Sequence, residues 1–221
     1  MESNFLINTS NELIKSYLKI ISEHFLKSNL TIIVKQYLLD FLINILKANL
    51  NQIIEKANER EEIFFLVFSL INNCGTDELR EYITNNLLIF FINSCSIIEI
   101  EKISESTKGF LIKSKYENEY EKRLSEIFPI DKKYYALFIL GAITKGFYLN
   151  IPEYIQNIIL FFTNLYKNVY KQIGVGSKII KKIMNEFLTK YEYSNNFVKK
   201  SLSNECSDAI RDLTDTNLYF S

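Results

Sequence analysis

Proline and glycine are scarce, with two prolines and six glycines in 221 residues, too few to turn the many short strands of an all-β domain. Tryptophan is absent and histidine occurs once, as His24, so a histidine metal site or a nucleophile–histidine relay has no second member. Cysteine occurs three times, as Cys74, Cys95 and Cys206. The odd number, the wide spacing and the lack of a C-x-x-C pair fit neither a disulfide framework nor a zinc site, and they lead us to expect reduced, buried thiols in an intracellular compartment. Net charge is lacking too: 26 basic residues balance 26 acidic ones and the pI is near 6.6. That balance excludes a generic electrostatic grip on nucleic acid or on an anionic membrane. The most apolar runs, such as Tyr134 to Ile143, fall short of the roughly 18–20 residues of a membrane span. A soluble protein is expected. Met1-Glu2-Ser3-Asn4 opens on an acid with no basic n-region, so no secretory leader is expected.

What the chain does have is apolar content, 48% against 24% charged, in enough length to bury the core of one or two globular domains. Its heavy use of Ile, Asn, Lys, Tyr and Phe resembles the codon bias of an AT-rich genome, so those residue types carry little weight as functional signals. Apolar residues recur at helical spacing. Leu13, Tyr17, Ile20, Ile21 and Phe25 fall on one face of a helix over residues 10–26. A second helix is predicted over 30–48, apolar on several sides and therefore largely buried. A third is predicted over 61–73, stopped at Cys74-Gly75. Thr76 then caps a fourth, with Asp77 and Glu78 at the positive end of its dipole.

The middle reads as two shorter helices, 96–103 and 118–127, separated by the polar stretch Ser104-Glu105-Ser106-Thr107-Lys108-Gly109. Pro129 ends that region, and Asp131 caps a strongly apolar helix over 132–145. Asn150-Ile151-Pro152 starts another, running to about Tyr170. Gly174-Val175-Gly176-Ser177 resets the chain, Ser177 caps a helix over 178–191, and a last short helix covers 203–213. Helices joined by short polar turns, with no strand pattern, predict an all-α fold of antiparallel helix hairpins, stacked as in HEAT or armadillo solenoids. A plain helical bundle fits the same pattern.

No catalytic constellation emerges, and neither an enzyme nor a cofactor or metal site is expected. His24 lies beside an apolar stripe and reads as an ordinary half-buried or surface histidine. Gly174-Val175-Gly176-Ser177-Lys178 lacks the spacing of a phosphate-cradling loop and follows a helix, so it reads as a turn. Glu99, Glu101, Glu105, Glu117, Glu119 and Glu121 lack the Asp/Asn/Gly loop of a calcium site and read as solvated helix faces. Lys178, Lys181 and Lys182 share one helix face. An ordinary wet face accounts for them, and a contact to an anion or an acidic partner is the alternative.

The chain ends on Leu218-Tyr219-Phe220-Ser221, two aromatic rings beside a carboxylate where termini are usually polar. The string resembles an engineered protease-site linker, but Thr216 precedes Asn217 and no glutamine follows Phe220, so the ending is expected to be native.

Residues 134–221 carry an ordered set of motifs. Phe147-Tyr148-Leu149-Asn150-Ile151-Pro152-Glu153-Tyr154 is a turn with aromatics and a proline. Lys181-Lys182-Ile183-Met184-Asn185-Glu186-Phe187 is a K-K-x-x-x-E-F signature. A charged segment, a short helix and the terminus Tyr219-Phe220-Ser221 follow. In order and spacing this region resembles the C-terminal region of the large single-chain, ATP-independent HEAT-repeat proteasome activators of the bleomycin-sensitivity type. Three features depart from that family. Its penultimate tyrosine is Phe220 here, its tryptophan after the signature helix is missing with Phe197 the nearest aromatic, and its members are far longer solenoids.

The resemblance implies a HEAT-like α-helical domain over residues 1–215, family-like from 134, and a docking tail over 216–221. It implies core (20S) proteasome α-ring subunits as partners, a cytoplasmic or nuclear location, and no nucleic-acid or membrane partner. Leu218, Tyr219, Phe220 and the Ser221 carboxylate are then expected to enter a pocket between α-ring subunits. There the rings pack and the carboxylate pairs with a lysine, biasing or capping the gate. A generic α-solenoid adaptor for an unrelated protein is the alternative.

Overall fold

The helical period legible in the sequence becomes helix wherever the chain is described. The computed structural model describes residues 12–13, 15–20, 29–48, 57–146, 151–171, 173–192 and 202–214. Among these residues there is no strand, and the fold is all-α. His24 and the tail, residues 216–221, lie outside the described residues. In chain order the main α-helices are α1 (Ile32–Ala48), α2 (Ala57–Asn73), α3 (Asp77–Tyr82), α4 (Ile97–Ile112), α5 (Glu119–Ile127), α6 (Leu137–Lys145), α7 (Glu153–Asn164), α8 (Val175–Glu192) and α9 (Asn204–Thr214), with a short turn of α-helix at Ile89–Ile92 and π-helical stretches at Ile83–Leu88 and Leu165–Val169. Two compact units result, one drawn from Met1–Cys95 and Lys122–Lys132, the other from Ser96–Glu121 and Lys133–Ser221.

In the first unit, α1 and α2 both pack on α3 and on the π-helical stretch Ile83–Leu88 that continues it. The predicted cap is present: the Leu79 amide donates to Thr76 Oγ1 at 3.3 Å, with Asp77 and Glu78 in the first turn. Arg80 then joins two helices. Its buried guanidinium donates from Nε to the Ile71 carbonyl and from Nη2 to the Cys74 carbonyl, both at 2.9 Å, and it also pairs with Asp77. These carbonyls close the C-terminal end of α2, where a cation meets the negative pole of the helix. The π-helical stretch begins where the Thr84 hydroxyl takes the Arg80 carbonyl at 2.7 Å, competing with the regular ladder. Phe64 stands at the aromatic centre, its ring centroid 6.0 Å from that of Phe68 and 5.9 Å from that of Phe91.

Of the predicted apolar stripe over 10–26, Leu13, Tyr17 and Ile20 are exposed while Leu18 is fully buried; Ile21 and Phe25 lie outside the described residues. One expectation for this unit is corrected. Helix α1 is not largely buried. Leu39 and Ile43 turn inward, whereas Ile33, Val34, Tyr37, Leu38 and Phe41 are exposed.

In the second unit, α4 packs on α6, α6 on α8, and α7 on α9, while α6 also meets α7 and α8 meets α9. Helix α7 also meets α4. The break predicted at 104–109 does not occur, because α4 runs through it. Ser104, Ser106 and Thr107 are buried there, and the Thr107 hydroxyl donates to the Ile103 carbonyl at 2.7 Å, which lets a polar residue sit inside a helix. Asp131 is not the cap of a helix over 132–145: it lies in the first turn of a 3-10 helix, Ile130–Ala136, and α6 begins after it with Ala136 at the cap position. Pro152 itself occupies the cap position of α7. Ser177 is not a cap: α8 begins at Val175, directly after Gly174 at φ +95°, and the buried Ser177 hydroxyl donates to the Ile173 carbonyl.

Cys74 and Cys206 are buried and Cys95 is half-buried, all three as free thiols. Burial pushes the Cys74 thiol up to about 11, so it stays protonated and inert at neutral pH. No helix of the described residues is long and apolar enough to cross a membrane.

Candidate partner-binding surface

Helix α8 sorts its residues by side. Ile180, Ile183, Met184 and Phe187 are buried, while Lys178, Lys182, Asn185 and Thr189 are exposed. Lys178 and Lys182, four residues apart, therefore present two cations along one outer stripe. Lys181 lies at the edge of that stripe, half-covered, with Nζ 5.4 Å from the centre of the Tyr166 ring. The three lysines do share a face, but only two of them project fully from it.

The rest of the K-K-x-x-x-E-F signature points the other way. Phe187 is fully buried. Glu186 Oε2 accepts from Lys145 Nζ at 2.5 Å, and the lysine, on the last turn of α6, is nearly enclosed. Helix α6 approaches closely at Gly141, where a Cβ would come within 2.8 Å of Ile183 Cδ1. Glu186, through Lys145, therefore ties α8 to α6, and Phe187 belongs to the buried side of α8. The signal for this pair was in the sequence, since Lys145 is the one charge in an otherwise apolar helical run and needs a partner. Glu186→Leu, which deprives a buried ammonium of its carboxylate, is expected to cost about 1–3 kcal/mol of stability. Lys145→Met is expected to be close to neutral, because Glu186 keeps enough exposure to be hydrated. Urea denaturation midpoints of the two variants decide whether that asymmetry holds.

Helix α9 sets where the tail begins. Its first turn is tied by the Ser203 amide, which donates to Gln156 Oε1 at 3.0 Å, and by the Cys206 amide, which donates to Ser203 Oγ at 3.2 Å. Lys167 pairs with Asp212 at 2.6 Å, and this lysine and the neighbouring Arg211 hold the Asp212 carboxyl below its usual range. Cys206, Ala209, Ile210 and Leu213 are buried. Thr214 is thus delivered at a fixed place, and the seven residues after it span at most about 25 Å.

One acidic residue was misread. Glu121 is buried, not solvated. Its Oε1 accepts from Lys113 Nζ at 2.9 Å and its Oε2 from the Glu117 amide at 3.3 Å. Lys133 adds a second cation nearby: its Nζ donates to the Lys113 carbonyl at 2.8 Å and lies 5.1 Å from the Phe110 ring centre. Burial pushes the Lys133 ammonium down from its ordinary value. Glu99 is also engaged, as the return arm of a capping box with Ser96. These are structural couplings that contain no nucleophile and base pair.

Among the described residues, no group of three or more His, Cys, Asp or Glu side chains is placed to hold a metal. The groove of about 510 Å³ between α7 and α9 is lined by Glu205 and by Lys167, Asp208 and Asp212, the last three engaged in the Lys167–Asp212 and Arg211–Asp208 ion pairs. Neither a family model nor a curated protein matches the chain.

Proposed function

We propose that the chain is a non-enzymatic proteasome-binding protein. A HEAT-like stack of helix hairpins carries the tail Leu218-Tyr219-Phe220-Ser221 into an inter-subunit pocket of the core proteasome α-ring, where it biases or caps the gate. The observation that carries this reading is the order and spacing of motifs from the aromatic–proline turn through the K-K-x-x-x-E-F signature to the aromatic terminus. Two features of the second unit support it. The next-but-one packing of α4, α6 and α8, and of α7 and α9, is compatible with two layers of a stacked-hairpin array, with α7 also meeting α4. The pinning of α9 gives the tail a rigid point of departure, which lowers the entropy lost when it is captured.

Co-sedimentation of the full chain with purified core proteasomes tests the proposal, with and without the last three residues. The full chain is expected to sediment with the particle and the shortened chain to stay behind. Equal sedimentation of both removes the tail from the interaction. Replacing Lys178, Lys181 and Lys182 together by glutamine is expected to weaken binding only modestly, and less so at high salt. Complete loss with an unchanged helical spectrum would make the basic face the primary contact. A second reading, an α-helical adaptor for an unrelated protein, is favoured by the exposed apolar residues of α1.

A further inference from the structure

Helix α1 is inside out for a surface helix. Its Lys35 is buried and its Asp40 accepts a hydrogen bond from the Tyr82 hydroxyl, so the charges lean toward the protein. Its outer side carries Ile33 at 64% exposure, Tyr37 at 70% and Phe41 at 62%, spaced four residues apart, with Val34 and Leu38 beside them. Among the described side chains of α1, the exposed ones are apolar as far as Asn44. Isolated exposed apolar residues need no explanation, but a continuous stripe along one helix does.

We infer that this stripe pairs two copies of the chain, α1 against α1 about a two-fold axis near Tyr37. Three observations select a second copy as the occupant. The stripe has no charge to choose a complementary partner, whereas recognition between different proteins draws its selectivity from charged and polar groups. An apolar helix face is self-complementary by rotation, which is what an isologous contact needs. The chain has zero formal net charge, so two copies approach without long-range repulsion. The area is also sufficient. Tyr37 and Phe41 together offer roughly 250–300 Å² at their exposure, and the three aliphatic residues bring one copy to about 500 Å². A symmetric pair buries at most about 1,000 Å², the low end of the range, where association is weak and reversible. A membrane is the poorer occupant, because an interfacial helix carries Lys and Arg along its polar face in the headgroups, and Lys35 is turned inward.

Sedimentation velocity of the full chain at about 50 μM, a concentration that populates a pair of micromolar affinity, reads the result directly. The expected mass is about twice the chain's 26.0 kDa. Tyr37→Glu and Tyr37→Lys are each expected to sediment as single chains with unchanged far-UV spectra, since the side chain faces solvent within one copy. An equimolar mixture of the two is expected to return to the doubled mass, because opposite charges then meet across the axis. Ile33→Glu, one turn away, is expected to dissociate the pair as well, and Ile98→Lys, on exposed α4 surface, to leave it intact. The inference is overturned if the unaltered chain sediments singly or as a larger assembly. It is equally overturned if Ile98→Lys dissociates the pair, or if the Glu and Lys variants fail to combine.

Discussion

Gly109→Ala is expected to destabilise the fold by about 1–3 kcal/mol, the usual range for overpacking. The opposite sign is the general rule, since alanine in a helix interior is better than glycine by about 0.5–1 kcal/mol. Gly109 lies inside α4, and the space its Cβ would fill is occupied by the Glu121 carboxylate, whose Cδ would be only 3.2 Å away. That carboxylate has little freedom to withdraw. It is buried, held by Lys113 and by the Glu117 amide, and moving it breaks bonds to a desolvated charge. The Glu121→Ala background separates the two contributions. There the carboxylate is gone, and Gly109→Ala is expected to become stabilising by about 0.5–1 kcal/mol. A double-mutant cycle read by urea denaturation gives both numbers. Stabilisation in both backgrounds would show that seating Glu121 is not what keeps glycine at this position.

The same cluster explains part of what the sequence left illegible. Helices announce themselves by period, and where the period was clear, as over residues 61–73 and 203–213, the elements follow it. Caps made by a side chain on its own neighbouring backbone, such as Thr76, are local and therefore readable. The stretch 104–109 looks like a loop because serine, threonine and glycine usually mark one. Its polar groups are internal instead, with Thr107 bonding the preceding turn and Gly109 making room for a glutamate twelve residues on. That partnership is tertiary, and no window of local sequence contains it. Glu121 was misread for the same reason: a carboxylate in an acidic cluster looks solvated until its lysine is found.

The apolar stripe of α1 failed as a burial signal in a different way. Periodicity says that a face is apolar, but not whether the cover is the rest of the chain or another molecule. On α8 the lysine face was legible as a surface, whereas the inward roles of Glu186 and Phe187 required knowing which helix lies beneath them. For the tail, the sequence offers composition and place, and the described residues contribute the anchored helix from which it departs.

Adding one residue beyond Ser221, or amidating it, is expected to weaken binding to core proteasomes by about 2–5 kcal/mol, on the order of 30-fold or more, if the tail docks as proposed. The change removes the terminal carboxylate from the position where it would meet a pocket lysine and leaves the other charge desolvated without a partner. It touches nothing in the helical body, whose last described turn is already fixed by Leu213 and by the Lys167–Asp212 pair. Phe220→Ala is expected to cost a similar amount through lost ring burial, since an aromatic side chain seated in a pocket is the usual form of an energetic anchor. Phe220→Tyr is expected to be neutral or tighter, because it restores the hydroxyl found at that position in the family the terminus resembles. Leu218→Ala lies further from the carboxylate and is expected to matter less. Titrating labelled full chain with purified core particles ranks all four changes on one scale. Binding by the extended chain as tight as by the unaltered one would exclude a carboxylate-anchored tail and leave Tyr219 and Phe220 without a role in this interaction.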